Sequence, residues 1–122
     1  MTLAASALPG DASAADAPAL ALDVRHLSKR FGSRVAFEDV TFSVARGEVF
    51  GFLGPNGAGK TTMVRTLGTL LTPSSGEATV AGLALEPRNG VEIRRRTAVM
   101  PELPGLYLRL SVRDNLACFA DL

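Results

Sequence analysis

The 122 residues suffice for one small domain, and an apolar content of 47% suffices for a core. A formal net charge of +1 gives no reason to expect nucleic acid or an anionic membrane as a direct partner. The single cysteine, Cys118, excludes an internal disulfide and suits a reducing compartment, and no apolar run approaches the roughly 18 residues that a membrane span needs.

Residues 1–19 are rich in Ala, Ser, Asp and Pro and carry no Lys or Arg, so the positive start of a secretory signal is missing and a disordered extension is expected. Leu20–Leu27 alternates apolar and polar residues, the pattern of a half-buried strand. Lys29–Arg34 reads as a polar turn holding one aromatic, Phe31. Val35–Phe37 and Val40–Val44 read as strand pieces separated by Glu38-Asp39, and Ala45–Glu48 as a tight turn into the apolar strand Val49–Leu53. Several short alternating strands ahead of a fully apolar one predict an antiparallel sheet beside a parallel core.

A helix is expected after the loop at 54–62, ending near Leu71, with Met63, Val64, Leu67, Leu70 and Leu71 on one face and Arg65, Thr66 and Thr69 on the other. The breakers Thr72–Gly76 stop it, and Glu77–Gly82 reads as a further strand. Glu86–Gly90 is a loop or helix start, followed by a short helix at Val91–Arg96 whose three arginines suit a solvated face better than a partner surface. Thr97–Met100 reads as a short apolar strand ending at Pro101. Ser111 is a plausible N-cap for the last helix, with Asp114 three residues on and Val112, Leu116, Phe119 and Ala120 on one face. Cys118 is expected as a small core residue on that helix, and His26, the lone histidine, as a surface residue.

The stretch Gly54-Pro55-Asn56-Gly57-Ala58-Gly59-Lys60-Thr61-Thr62 fits G-x-x-x-x-G-K-[ST], the phosphate-binding loop or Walker A motif, between an apolar strand and a helix. Glycines let the backbone turn and approach a ligand, so that its N–H groups cradle an anion. The helix start adds roughly half a positive charge and unpaired N–H donors. Lys60, one of only two lysines, would reach the β- and γ-phosphates, and the Thr61 hydroxyl would be a Mg²⁺ ligand. Ala19–Asp23 imitates a Walker B strand, but it precedes the phosphate loop and is followed by Val24 where a carboxylate would strengthen the case.

The order of pieces from about Leu22 onward resembles the nucleotide-binding domain of ABC transporters. The resemblance is carried by Leu27–Gly32, Val40–Phe42, Gly47–Thr62, Leu71–Gly76, Met100–Glu102 and Leu110–Leu116. It implies an α/β fold, a P-loop NTPase core with an antiparallel β subdomain. It also implies an extension at 1–19 and the N-terminal part of an ATP-binding domain at 20–122, truncated before the helical signature region is complete. Binding of ATP and Mg²⁺ through Gly54, Pro55, Asn56, Gly57, Ala58, Gly59, Lys60, Thr61 and Thr62 is implied too. Phe31 stands where the family stacks an aromatic, usually Tyr, on adenine; Phe keeps the π-face, and a core phenylalanine is the alternative. Glu102 stands where the family's Q-loop glutamine touches Mg²⁺ and the attacking water. It would bind a hard cation through oxygen and would add negative charge near the γ-phosphate. A solvated loop carboxylate is the alternative. Lys60 and Glu102 are thus the catalytic candidates, and Thr61 and Glu102 the metal ligands.

The family's Ser-Gly-Gly-Gln signature, a usable Walker B pair and the switch histidine do not occur in these residues. In the family two such domains face each other, and each signature segment closes the other's ATP site. The resemblance therefore implies a second ATP-binding domain and a transmembrane subunit, contacted near residues 101–107, as partners. It places the protein on the cytoplasmic face of the cell membrane, with no nucleic acid partner, and predicts that the 122 residues alone are inactive in hydrolysis. A non-transport ATPase of the same superfamily and a non-catalytic nucleotide- or partner-binding module are the alternatives.

Overall fold

The computed structural model describes residues 4–6 as backbone, and residues 19–100 and 105–120 in full. The pattern of alternating residues builds a four-stranded antiparallel sheet. Strands β2 (Leu20–Phe31) and β3 (Arg34–Ala45) form a long hairpin, β5 (Ser75–Val80) pairs with the other edge of β2, and β6 (Leu83–Ala84) pairs with β5, giving the order β3-β2-β5-β6. The expected break at Glu38-Asp39 does not occur, and the turn at 29–34 narrows to Gly32-Ser33, with Phe31 paired to Arg34. Bulges absorb the irregular pattern: His26 and Asp39 take left-handed φ values of 51° and 52°, and their side chains meet, Nδ1 to Oδ1, at 2.7 Å on the surface.

A short strand β4 (Gly51–Leu53) leads into the 54–62 loop, and its edge pairs antiparallel with β1 (Ala4–Ser6), inside the stretch expected to be disordered. Val49 and Phe50 lie outside β4. The rings of Phe42, Phe50 and Phe52 nevertheless cluster: Phe42 stacks on Phe50 at 5.0 Å and meets Phe52 edge-on at 5.0 Å, so β3 carries the approach to the loop on an aromatic seat.

Helix α1 (Lys60–Leu67) ends four residues early, at Gly68, followed by Thr69 with φ 63°. Its buried face is Met63, Thr66 and Leu67, an i, i+3, i+4 stripe, while Val64 and Leu70 are exposed. Thr66 belongs to the core at 0% exposure, contrary to its expected place on the polar face, because its hydroxyl donates to the carbonyl of Thr62 at 2.8 Å and so needs no water. Met63 and Leu67 join Val24, Leu27, Phe37, Val80 and others in one core, which Ile93 of α2 (Gly90–Arg96) completes.

The α2 arginines are tied down locally: Arg95 and Arg96 pair with Glu92 at 3.6 and 2.9 Å, and Arg94 donates to the Thr69 hydroxyl at 2.7 Å. Thr97–Met100 forms no strand. A parallel strand needs a neighbour to bond with, and no described segment pairs with this one. The capping expected at Ser111 is present at the start of α3 (Val112–Ala120), where the Asp114 N–H donates to Ser111 Oγ at 3.2 Å and Ser111 Oγ donates to the Asp114 carboxylate at 2.6 Å. The apolar face of α3 is exposed, and Cys118 with it, because among the described residues this helix buries only Asn115.

Candidate nucleotide-binding site

Local sequence dictates the loop. Gly57 and Gly59 sit at φ 84° and 85°, where a side chain is strained, and at Gly59 there is no room for one either. A Cβ built there would lie 2.2 Å from the carbonyl oxygen of Ala36 on β3. The close approach locks the loop onto the hairpin and points the chain into α1. Gly59 caps α1 in the left-handed conformation without a side-chain hydrogen bond, and the first turn holds no acidic residue. The Met63 N–H is taken by the Gly59 carbonyl at 2.8 Å, but among the described residues no backbone carbonyl takes up the N–H groups of Lys60, Thr61 or Thr62. Three donors at a helix start, unopposed by a carboxylate, form an anion site in waiting.

The Lys60 ammonium folds back over the loop and donates to the carbonyls of Gly54 at 2.6 Å and Pro55 at 2.7 Å. Ala58 is buried, and its N–H closes the turn on Pro55 at 3.2 Å. Beside the loop lies a cavity of about 170 Å³ lined by Arg34 and Ala36 of β3 and by Asn56, Lys60, Thr61 and Thr62, with no carboxylate among its lining residues. The exposed Thr61 offers one hydroxyl oxygen, which fits Mg²⁺, a cation that keeps most of its shell as water and phosphate oxygen. A second cavity, of about 320 Å³, lies over the sheet with Asp23, Glu77 and Glu86 in its walls and Arg25 paired to the first two; carboxylates outnumber the one cation, which disfavours a triphosphate there.

Phe31 is 47% exposed, which removes the core alternative for it. It ends β2 across the two-residue turn from Arg34, and Arg34 lines the loop cavity, so the exposed aromatic shares the hairpin tip with a residue of that cavity. The Lys29 ammonium lies 4.9 Å from the ring centroid and is itself anchored on the Thr72 carbonyl at 2.7 Å. Glu102 lies outside the described residues, as do 101 and 103–104 of the expected partner loop; Leu106 and Tyr107, next to them, are exposed.

Two residues escaped the sequence reading. Arg34 gave no signal beyond its place two residues after Gly32. Asn115, which the sequence reading gave no role of its own within Leu110–Leu116, is buried. Its amide nitrogen donates to the carbonyls of Tyr107, Leu110 and Ser111 at 3.1, 3.2 and 3.1 Å, and its oxygen accepts the Tyr107 N–H at 2.8 Å, bracing 107–111 against α3.

The family model described as ABC transporter matches residues 37–121. The Nod factor export ATP-binding protein I of Rhizobium meliloti (strain 1021) is 41% identical over 102 residues, 84% of this chain and 30% of that protein. The probable multidrug ABC transporter ATP-binding protein YbhF of Escherichia coli (strain K12) is 41% identical over 101 residues, 83% of this chain and 17% of that protein. The chain thus spans under a third of either relative. Among solved structures, an ATP-binding subunit of an ABC transporter superposes with a TM-score of 0.66 at 36% identity, covering 82% of this chain and 41% of that one. The structure of cbiO1 from Clostridium perfringens, part of the ABC transporter complex cbiONQ, gives 0.54 at 26% identity over 62% of this chain and 32% of that one. On the family-model match over residues 37–121 and these relatives, the chain belongs to the ABC transporter family of ATP-binding proteins.

Proposed function

We propose that this chain contributes the phosphate-loop side of an ATP site whose hydrolysis drives transport across a membrane. The observation that carries the reading is the trio of unpaired N–H groups at the start of α1 beside the Lys60 ammonium. In this reading the loop 54–62 wraps the phosphates, Lys60 exchanges the carbonyls of Gly54 and Pro55 for phosphate oxygens, and Phe31 offers its exposed face to adenine. Thr61 and Glu102 are the oxygen ligands for Mg²⁺, which supplies charge neutralisation at the phosphates when bound. A second ATP-binding domain supplies the signature segment, and the loop at 101–107 faces a transmembrane subunit at the cytoplasmic side of the membrane. The chain's own residues bind and orient; in phosphoryl transfer that positioning, with charge stabilisation, is most of what a protein contributes.

The test is a titration of the 122-residue chain with labelled MgATP. Saturable binding is expected, weakened about 10- to 100-fold by Lys60→Ala, since a charge-assisted contact is worth about 1.5–3 kcal/mol. Absence of saturable binding, or binding indifferent to Lys60→Ala, overturns the proposal.

A further inference from the structure

We infer that Arg34 is a second cationic ligand of the nucleotide, taking the phosphate nearest the base. The inference rests on the nucleotide reading above and adds a contact from β3 that the loop motif does not contain.

Arg34 is the first residue of β3 and the register partner of Phe31. It therefore stands between the aromatic at the hairpin tip and the cavity it shares with Asn56, Lys60 and Thr61. Arg30, on the same hairpin, is held by an ion pair to Glu38, whereas among the described residues the Arg34 side chain has neither an ion pair nor a hydrogen bond. The cavity presents two cations and no carboxylate, a balance that suits a polyanion. Their placement divides the work. Lys60 is anchored on the loop at Gly54 and Pro55, and the free amides open on the helix side. Arg34 lines the same cavity from β3 and is paired across the hairpin turn with Phe31. A nucleotide with its base at Phe31 and its terminal phosphates on the loop passes its α-phosphate by Arg34, whose planar fork matches two phosphate oxygens. Since the α-phosphate is common to ATP and ADP, Arg34 holds both alike, while Lys60 discriminates in favour of ATP.

The test compares MgATP and MgADP affinities of the wild-type chain, Arg34→Gln, Arg34→Lys and Lys60→Ala. Arg34→Gln should weaken both nucleotides by the same factor, about fivefold to tenfold for a partly exposed charge-assisted contact, leaving the ATP-to-ADP preference unchanged. Arg34→Lys should recover part of the loss, and Lys60→Ala should erode the preference for ATP. Thermal midpoints should not move on Arg34→Gln, because the side chain has no partner to lose. Binding by Arg34→Gln within twofold of wild type refutes the contact, and a loss confined to MgATP refutes its assignment to the α-phosphate. If the wild-type chain shows no Lys60-dependent binding, the nucleotide reading itself fails and the inference falls with it, an outcome separate from a silent Arg34→Gln in a chain that binds.

Discussion

Gly57 and Gly59 share a loop and nearly the same φ, 84° and 85°, yet they should respond differently to the same substitution. At Gly57 a Cβ meets nothing within 4 Å, so Gly57→Ala carries only the left-handed penalty, about 1–2 kcal/mol. At Gly59 the same penalty applies, and the new carbon would sit 2.2 Å from the Ala36 carbonyl oxygen and 3.0 Å from the Ala36 carbonyl carbon. Relief requires the loop and β3 to part by roughly 1 Å, and overpacking of that kind costs about 1–3 kcal/mol more. Gly59→Ala should therefore lose about 2–5 kcal/mol in urea unfolding, at least 1 kcal/mol beyond Gly57→Ala. Its MgATP affinity should also fall further, because α1 would no longer be aimed from β3. Equal stabilities for the two variants, within about 0.5 kcal/mol, would refute the claim that the loop is seated on the hairpin by that contact.

Phe42→Ala should destabilise by about 3–5 kcal/mol, since it removes a buried ring that touches both Phe50 and Phe52; a loss below 1 kcal/mol in chemical unfolding would contradict the aromatic seat. Asn115→Ala strips the side-chain amide's contacts with the 107–111 segment at a cost of about 1–3 kcal/mol, and hydrogen exchange at the Tyr107 amide should accelerate at least tenfold; unchanged exchange would show that the segment is held by other means. Phosphate release by the isolated chain should stay at background, and turnover abolished by Lys60→Ala would disprove that expectation.

The loop was legible because its conformation is written in neighbouring residues: glycines where φ is positive, a lysine and two threonines where the helix starts. The antiparallel hairpin was legible in alternation, but not its continuity, since the bulges at His26 and Asp39 put non-glycine residues into a left-handed conformation that propensity argues against. Thr97–Met100 carried the composition of a strand without a ladder to join, because strand formation depends on partners distant in sequence. Thr66 looked polar and proved internal, its hydroxyl satisfied one turn back. The burial of Asn115 depends on how residues 107–111 fold back on α3, which the spacing of apolar residues does not record.

The contacts of Lys60 with Gly54 and Pro55 have a consequence for what can enter the loop. An ammonium seated on two carbonyls ties Lys60 to the first two residues of the loop. An arriving anion must evict those carbonyls from the lysine, so ions that offer only one or two weak acceptors gain little by entering. In the nucleotide reading proposed above, the loop would thereby favour ions that bring many strong oxygens, as a triphosphate does.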